Sequence, residues 1–306
     1  MSTGFAYIEG KFVPVAEANL NVMTHALHYG TAVFEGIRGN WNEDKKEMYL
    51  FRLREHLERL LSNCRFLDIK LPYSVEDLAK IILELAKTAN LKEDVYIRPL
   101  AYKSQREFGV RINNLSSDIL IVILPRNTNR LAEYVRAGVS SWRRPDNSML
   151  PPQIKAAGLY LNNALVKTEA IQNGFDEGII LSNEGKVTEG SGENLFLVKN
   201  GRLLTPCGNS GILLGITRDT VKRIAKEQFG IDTEERLVDR YELYLADEAF
   251  FTSTIAHVLP IGFIDHHPIG NGQVGLTTQK IRDYYAELIR GRRTEYPQWL
   301  TAVFYP

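Results

Sequence analysis

The chain has 306 residues, long enough for a sizeable core in one or two domains. Apolar residues make up 44% and charged residues 24%, the balance of an ordinary soluble globular protein. Lys+Arg and Asp+Glu are each 37, so the net charge is zero, which argues against binding nucleic acid by phosphate neutralisation.

The two cysteines, Cys64 and Cys207, make neither a disulfide framework nor a metal-ligand spacing, so a reducing cytoplasm is expected. The first residues lack a basic stretch followed by an apolar run, and no apolar run is long enough to span a bilayer.

In chain order, Phe5–Ile8 and Phe12–Val15 flank Glu9-Gly10-Lys11 and predict a hairpin. Ala32–Arg38 predicts one strand, a polar turn follows at Asn42–Lys46, and Met48–Phe51 predicts the returning strand. Leu57, Leu60, Leu61 and Cys64 repeat at three and four and predict a helix over Arg54–Leu67. A second helix is predicted over Val75–Leu91, then strands over Val95–Tyr102 and Ile119–Leu124. Pro125–Arg130 has the composition of an interdomain connection.

Beyond it, strands are predicted at Val135–Trp142, Gly178–Leu181, Leu195–Val198, Ala249–Ser253 and Val258–Ile264. Helices are predicted at Leu161–Asn173, Thr217–Phe229 and Thr278–Ile289. Asn200-Gly201 is a hairpin signal. This mixed order argues against a purely alternating βαβ fold. The division is a small α/β domain over 1–124, a loop over 125–135 and a second domain over 136–306.

The chemistry gathers between Lys155 and Asn194. Lys155 stands among small and apolar neighbours, where an amine can act as a nucleophile. Tyr160 follows five residues later at the start of a helical pattern. Glu189 sits among glycines before the strand Leu195–Val198. An amine, a phenol and a carboxylate are what a pyridoxal phosphate site needs, for the covalent link, the ring oxygen and the ring nitrogen.

Other residues suit an anion. Thr217 lies near the start of a helix after Gly215-Ile216, where backbone N–H groups can meet a phosphate. Ser253 and Thr254 close a buried-looking strand. Arg59, three residues after His56, reads by itself as a solvated helix arginine. Tyr96 and Arg98 share one face of their strand, and a buried Arg98 needs an anionic partner. His25 and His28 have no third ligand nearby, so no metal site is expected.

The run E-G-S-G-E-N-L-F from Glu189, then Leu203-Leu204-Thr205 and Leu213-Leu214-Gly215-Ile216-Thr217-Arg218, resembles the full signature of the class IV aminotransferases, the fold-type IV pyridoxal phosphate enzymes. The stretches H-A-L-H-Y-G-T-A-V-F-E-G-I-R and Y-I-R-P-L are similar to branched-chain amino acid aminotransferases, so the resemblance runs from about residue 5 to about residue 290.

It implies an α+β fold with a small α/β domain and a larger pseudo-barrel domain that carries the cofactor lysine. It assigns Lys155, Arg59, Tyr160, Glu189, Ile216, Thr217, Ser253 and Thr254 to pyridoxal 5′-phosphate. Tyr29, Phe34, Gly36, Tyr96, Arg98, Val110 and Arg126 fall to the substrate. The activity implied is transfer of the amino group of leucine, isoleucine or valine to 2-oxoglutarate by a homodimer or higher homo-oligomer, and the cysteine usage above adds the expectation of a cytoplasmic setting.

Two departures bear on substrate range. Phe108-Gly109-Val110 stands where bacterial members often have Met-Gly-Val, and Arg126 and Asn129 stand where relatives often have aromatics. Activity on D-amino acids or (R)-amines, and an aminodeoxychorismate lyase-like reaction, remain open at this point.

Overall fold

A computed structural model describes residues 4–126 and 133–305, which fall into two compact units. The described part of the first comprises residues 4–126, 154–158 and 287–305, and that of the second residues 133–153 and 159–286.

The first unit is built on β1 (Phe5–Ile8), β2 (Lys11–Pro14), α1 (His25–Tyr29), β3 (Ala32–Phe34), β4 (Ile37–Asn42), β5 (Glu47–Phe51), α2 (Leu53–Phe66), α3 (Val75–Ala89), β6 (Val95–Lys103) and β7 (Ser117–Pro125). The hairpin of β1 and β2 turns through Glu9 and Gly10, whose φ angles of 49° and 77° explain the glycine. Helix α3 begins in a capping box, in which Ser74 and Asp77 bond each other's backbone N–H, and ends on Asn90 in the left-handed region. Leu57 and Leu60 of α2 and Leu78, Ile82 and Leu85 of α3 pack on Val95 and Ile97 of β6, all fully buried. Alternation along β6 turns Tyr96 and Arg98 to the opposite, half-buried face.

The single strand expected over Ala32–Arg38 is broken at Glu35-Gly36. Both halves pair antiparallel with β6, Phe34 opposite Leu100 and Ile37 opposite Ile97. Pro99 lies opposite the gap. Glu35 N–H donates to its carbonyl at 2.9 Å, but proline has no N–H to return, so the ladder lapses there.

Residues 154–158 and 287–305, which the sequence division assigns to the second domain, pack with this unit. Ala156 bridges to Val33, and Leu300–Ala302 pairs antiparallel with β5. The backbone of Lys155 is therefore held by β3.

The second unit holds β8 (Val135–Arg143), α4 (Tyr160–Gln172), β9 (Glu177–Leu181), β10 (Lys186–Gly190), β11 (Asn194–Lys199), β12 (Arg202–Pro206), α5 (Ile216–Phe229), β13 (Thr233–Arg236), β14 (Val238–Asp239), β15 (Glu248–Ser253), β16 (His257–Ile264), β17 (His267–Pro268) and α6 (Leu276–Leu288). Its ten strands run β13-β12-β11-β15-β16-β8-β9-β10-β14, with β17 beside β16. Three pairs are parallel and the rest antiparallel, the mixed sheet of a pseudo-barrel. Its core includes Ile179, Val187, Leu197 and Phe251.

Strand β10 escapes the sequence analysis because Val187 is its one large apolar side chain; Thr188 and Glu189 are buried beside it. The expected interdomain connection falls mainly on residues 127–132, outside the described residues. Among the described residues, no helix is long and apolar enough to cross a membrane.

Candidate active site

In the first unit, Phe34 N–H donates to the Lys155 carbonyl at 3.1 Å. Gly158 N–H donates to the Gly30 carbonyl, and a Cβ on Gly30 would lie 2.9 Å from Gly158 Cα. The lysine segment is thus fixed at both ends, and Lys155 Nζ lies 5.1 Å from the centre of the Phe34 ring. Arg98 covers the same ring with Cζ at 4.3 Å, and its Nε and Nη2 donate to Tyr96 Oη at 3.1 and 2.7 Å. An arginine can lie flat on a ring and keep its N–H fork for an anion. A Cβ on Gly36 would come within 2.4 Å of Tyr96 Oη, so only glycine lets that phenol stand where it does.

Five expected residues, Phe34, Gly36, Tyr96, Arg98 and Lys155, therefore meet. Tyr29 is tied elsewhere: its Oη accepts Gly109 N–H at 3.0 Å, and buried His25 Nε2 lies 2.7 Å from the Gly109 carbonyl. Val110, 83% exposed, and Arg126, also exposed, do not join the cluster.

Arg59 is not a solvated helix arginine. Its Nε and Nη2 donate to the two oxygens of Glu35 at 2.6 and 2.9 Å. Glu35 is fully buried, and His56 Nδ1 donates to it at 2.7 Å. Burial by itself would raise the Glu35 carboxyl, but the Arg59 guanidinium and His56 outweigh it and hold it well below the usual carboxylate range. Burial also lowers His56, against the pull of Glu35.

In the second unit, Glu189 is buried on β10. It accepts from Arg144 Nη2 at 2.7 Å, from Asn194 Nδ2 at 2.9 Å and from Leu213 N–H at 3.1 Å. Arg144 also donates to Asn163 Oδ1 at 2.8 Å, which aims its fork. Helix α5 starts from Gly215 with no side-chain cap. A Cβ on Gly215 would lie 2.1 Å from Asn194 Oδ1, so the approach to the first amides of α5 must be a glycine. Ile216 and Thr217 are buried in that first turn.

Ser253 and Thr254 are half-buried at the end of β15, and Ser253 Oγ accepts Ala256 N–H at 3.0 Å. Tyr160 is half-buried and opens α4. Glu193 stands apart from Glu189: burial and the neighbouring Glu177 push its carboxyl up to about 8.

Sequence reasoning missed Glu35 and Arg144. Pro99 opposite a strand-like run was a signal for the first. Arg144 carried none, since its partner Glu189 is far along the chain.

In the first unit a lysine lies beside an arginine-covered ring, and in the second an arginine holds a buried carboxylate and a helix starts behind a required glycine, groups that suit the chemistry of a group-transfer enzyme. The profile of amino-transferase class IV matches residues 32–264, and the chain belongs to that family. The probable branched-chain-amino-acid aminotransferase of Aquifex aeolicus (strain VF5) is 44% identical over 99% of this chain and 98% of its own length. The branched-chain aminotransferase of Thermoproteus uzoniensis, solved with norvaline, is 43% identical with a TM-score of 0.93, covering 98% of this chain and 99% of that one. The branched-chain amino acid aminotransferase of Thermobaculum terrenum, solved in its PLP form, is 38% identical with a TM-score of 0.93, covering 98% of both chains.

Proposed function

We propose that this protein is a pyridoxal 5′-phosphate-dependent aminotransferase that moves the amino group of leucine, isoleucine or valine to 2-oxoglutarate. The observation that carries this reading is the Phe34 ring shared by the Lys155 amine and the Arg98 guanidinium. It offers apolar surface, a nucleophilic nitrogen and a carboxylate-binding fork in one place, as a substrate amino acid requires.

The donor set suits the cofactor. The Glu189 carboxylate, held in place by Arg144 and two further donors, can hold the proton on the pyridine nitrogen. Arg59, with the amides at the start of α5 and Thr217, suits the phosphate, and Ser253 and Thr254 fall where the family resemblance puts further contacts. Tyr160 serves the ring oxygen.

When bound, the cofactor supplies a sink for the electron pair left on the substrate Cα. Lys155 Nζ holds the cofactor before the substrate arrives and then takes the proton from the substrate Cα. Phe34 and Gly36 offer surface and room for an apolar side chain; Tyr29 and Val110 are given the same role by the family resemblance alone. Arg98, backed by the Tyr96 phenol, takes a substrate carboxylate, with Arg126 as the rival for the γ-carboxylate of glutamate. The reading extends to a homo-oligomer, as the family resemblance implies, working in the reducing cytoplasm that the free thiols Cys64 and Cys207 suit.

The test is a panel of amino donors with 2-oxoglutarate: leucine, isoleucine, valine, D-alanine and (R)-1-phenylethylamine. Glutamate should form fastest with the three branched L-amino acids. A preference for D-alanine or the amine, or no glutamate at all, would overturn the reading; the last result fits a lyase.

A further inference from the structure

We propose that Glu35 is a positioning residue for cofactor phosphate binding, acting through Arg59, and that the dipeptide Phe34-Glu35 ties this phosphate grip to the backbone of Lys155. The inference rests on the function proposed above.

A glutamate is seldom fully buried without strong partners. Glu35 has two. It takes the side-on edge of the Arg59 fork, Nε at 2.6 Å and Nη2 at 2.9 Å, and its second oxygen also receives His56 Nδ1 at 2.7 Å. Two parallel bonds fix the plane of a guanidinium, so Glu35 decides where the end-on edge, Nη1 and Nη2, is aimed. Arg59 is still 18% exposed at its side chain, so the clamp does not seal it from an anion. A flexible arginine would have to be frozen when phosphate binds; this one is ordered beforehand.

The position of Glu35 has its own cause. The ladder break opposite Pro99 frees Glu35 from regular strand pairing, while its N–H stays on the Pro99 carbonyl at 2.9 Å. One residue earlier, Phe34 N–H holds the Lys155 carbonyl at 3.1 Å. Two adjacent residues thus set the nucleophilic lysine and the phosphate arginine in one frame.

Charge and orientation make opposite forecasts for removing this carboxylate. Glu35 offsets the charge of Arg59, so by field alone its loss should tighten phosphate binding. By orientation its loss should loosen it. The proposal takes the second side.

The measurement is the dissociation constant of pyridoxal phosphate and of pyridoxal, which lacks the phosphate, by absorbance titration of cofactor-stripped protein. Glu35→Gln should weaken pyridoxal phosphate by about ten- to hundredfold, the usual cost of a lost charge-assisted contact, and leave pyridoxal nearly unchanged. In an Arg59→Ala background it should add nothing further. Glu35→Asp keeps the charge but draws it back by one methylene; it should shift affinity the same way, and it serves if the Gln variant fails to fold.

Affinity for pyridoxal phosphate that is unchanged or tighter in both variants overturns the proposal. So does an equal loss for pyridoxal phosphate and pyridoxal, which marks a general structural defect. Should the unaltered protein bind no pyridoxal phosphate, the proposed function falls and this inference with it; tight binding there with unaffected variants sinks the inference alone.

Discussion

Replacing Glu193 by glutamine should stabilise the protein at neutral and alkaline pH and flatten its pH dependence. Glu193 accepts Gly192 N–H at 3.0 Å, and burial followed by the charge of Glu177 moves its carboxyl from 4.5 up to about 8. The folded value lies above the unfolded one, so the folded protein binds a proton that the unfolded chain releases. Its contribution is complete below about pH 4.5 and drains away as pH rises to about 8.

The span of about 3.5 in pH corresponds to about 5 kcal/mol if all of it belonged to one group. Glu177 acts directly on Glu193, and Lys167 Nζ donates to Glu177 at 2.6 Å. Part of the span therefore belongs to the pair, and about 2–4 kcal/mol is the expected gain for Glu193→Gln above pH 8. A glutamine amide has the shape of the protonated acid, can donate to Glu177 and never ionises. The variant should match the parent near pH 5 and pull ahead as pH rises, read from urea midpoints at pH 5, 7 and 9. Parallel pH profiles for the two proteins would refute the reasoning, because Glu193 would then be ionised in the fold. A carboxyl that keeps its proton at pH 7 is also poorly suited to hold a pyridinium, which leaves that role to Glu189.

Three further outcomes are expected. Borohydride reduction of the yellow protein should fix the cofactor on Lys155, and Lys155→Ala should lose the colour and nearly all turnover; an adduct mapped to Lys167 would contradict this. Glu189→Gln should keep the cofactor but slow turnover by about tenfold to hundredfold, since a neutral amide loses about 1.5–3 kcal/mol of charge-assisted hold on the ring nitrogen; a larger loss in Glu193→Gln would reverse the assignment. Arg98→Ala should slow the 2-oxoglutarate half-reaction more than the leucine half-reaction in single-turnover experiments, and equal slowing would instead place the α-carboxylate on Arg98.

Local pattern carried much of this protein. Apolar repeats at three and four marked α2 and α3, and alternation put Tyr96 and Arg98 on one face of β6. Resemblance to a family signature with fixed gaps pointed to Lys155, Glu189 and the start of α5 for the cofactor, because such a signature links residues that are close in sequence.

Partnership across the chain was not legible. Glu35 meets Arg59 and Arg144 meets Glu189 across long stretches of sequence, yet each pair is one buried unit in the fold. Nor did composition reveal that Lys155 packs with the first unit through Val33 and Phe34. A charged residue in a polar stretch reads as solvated until an opposite charge is seen to meet it away from water. Periodicity records which face of an element is apolar; only tertiary packing decides which buried charges neutralise each other, and so which residues the site can use.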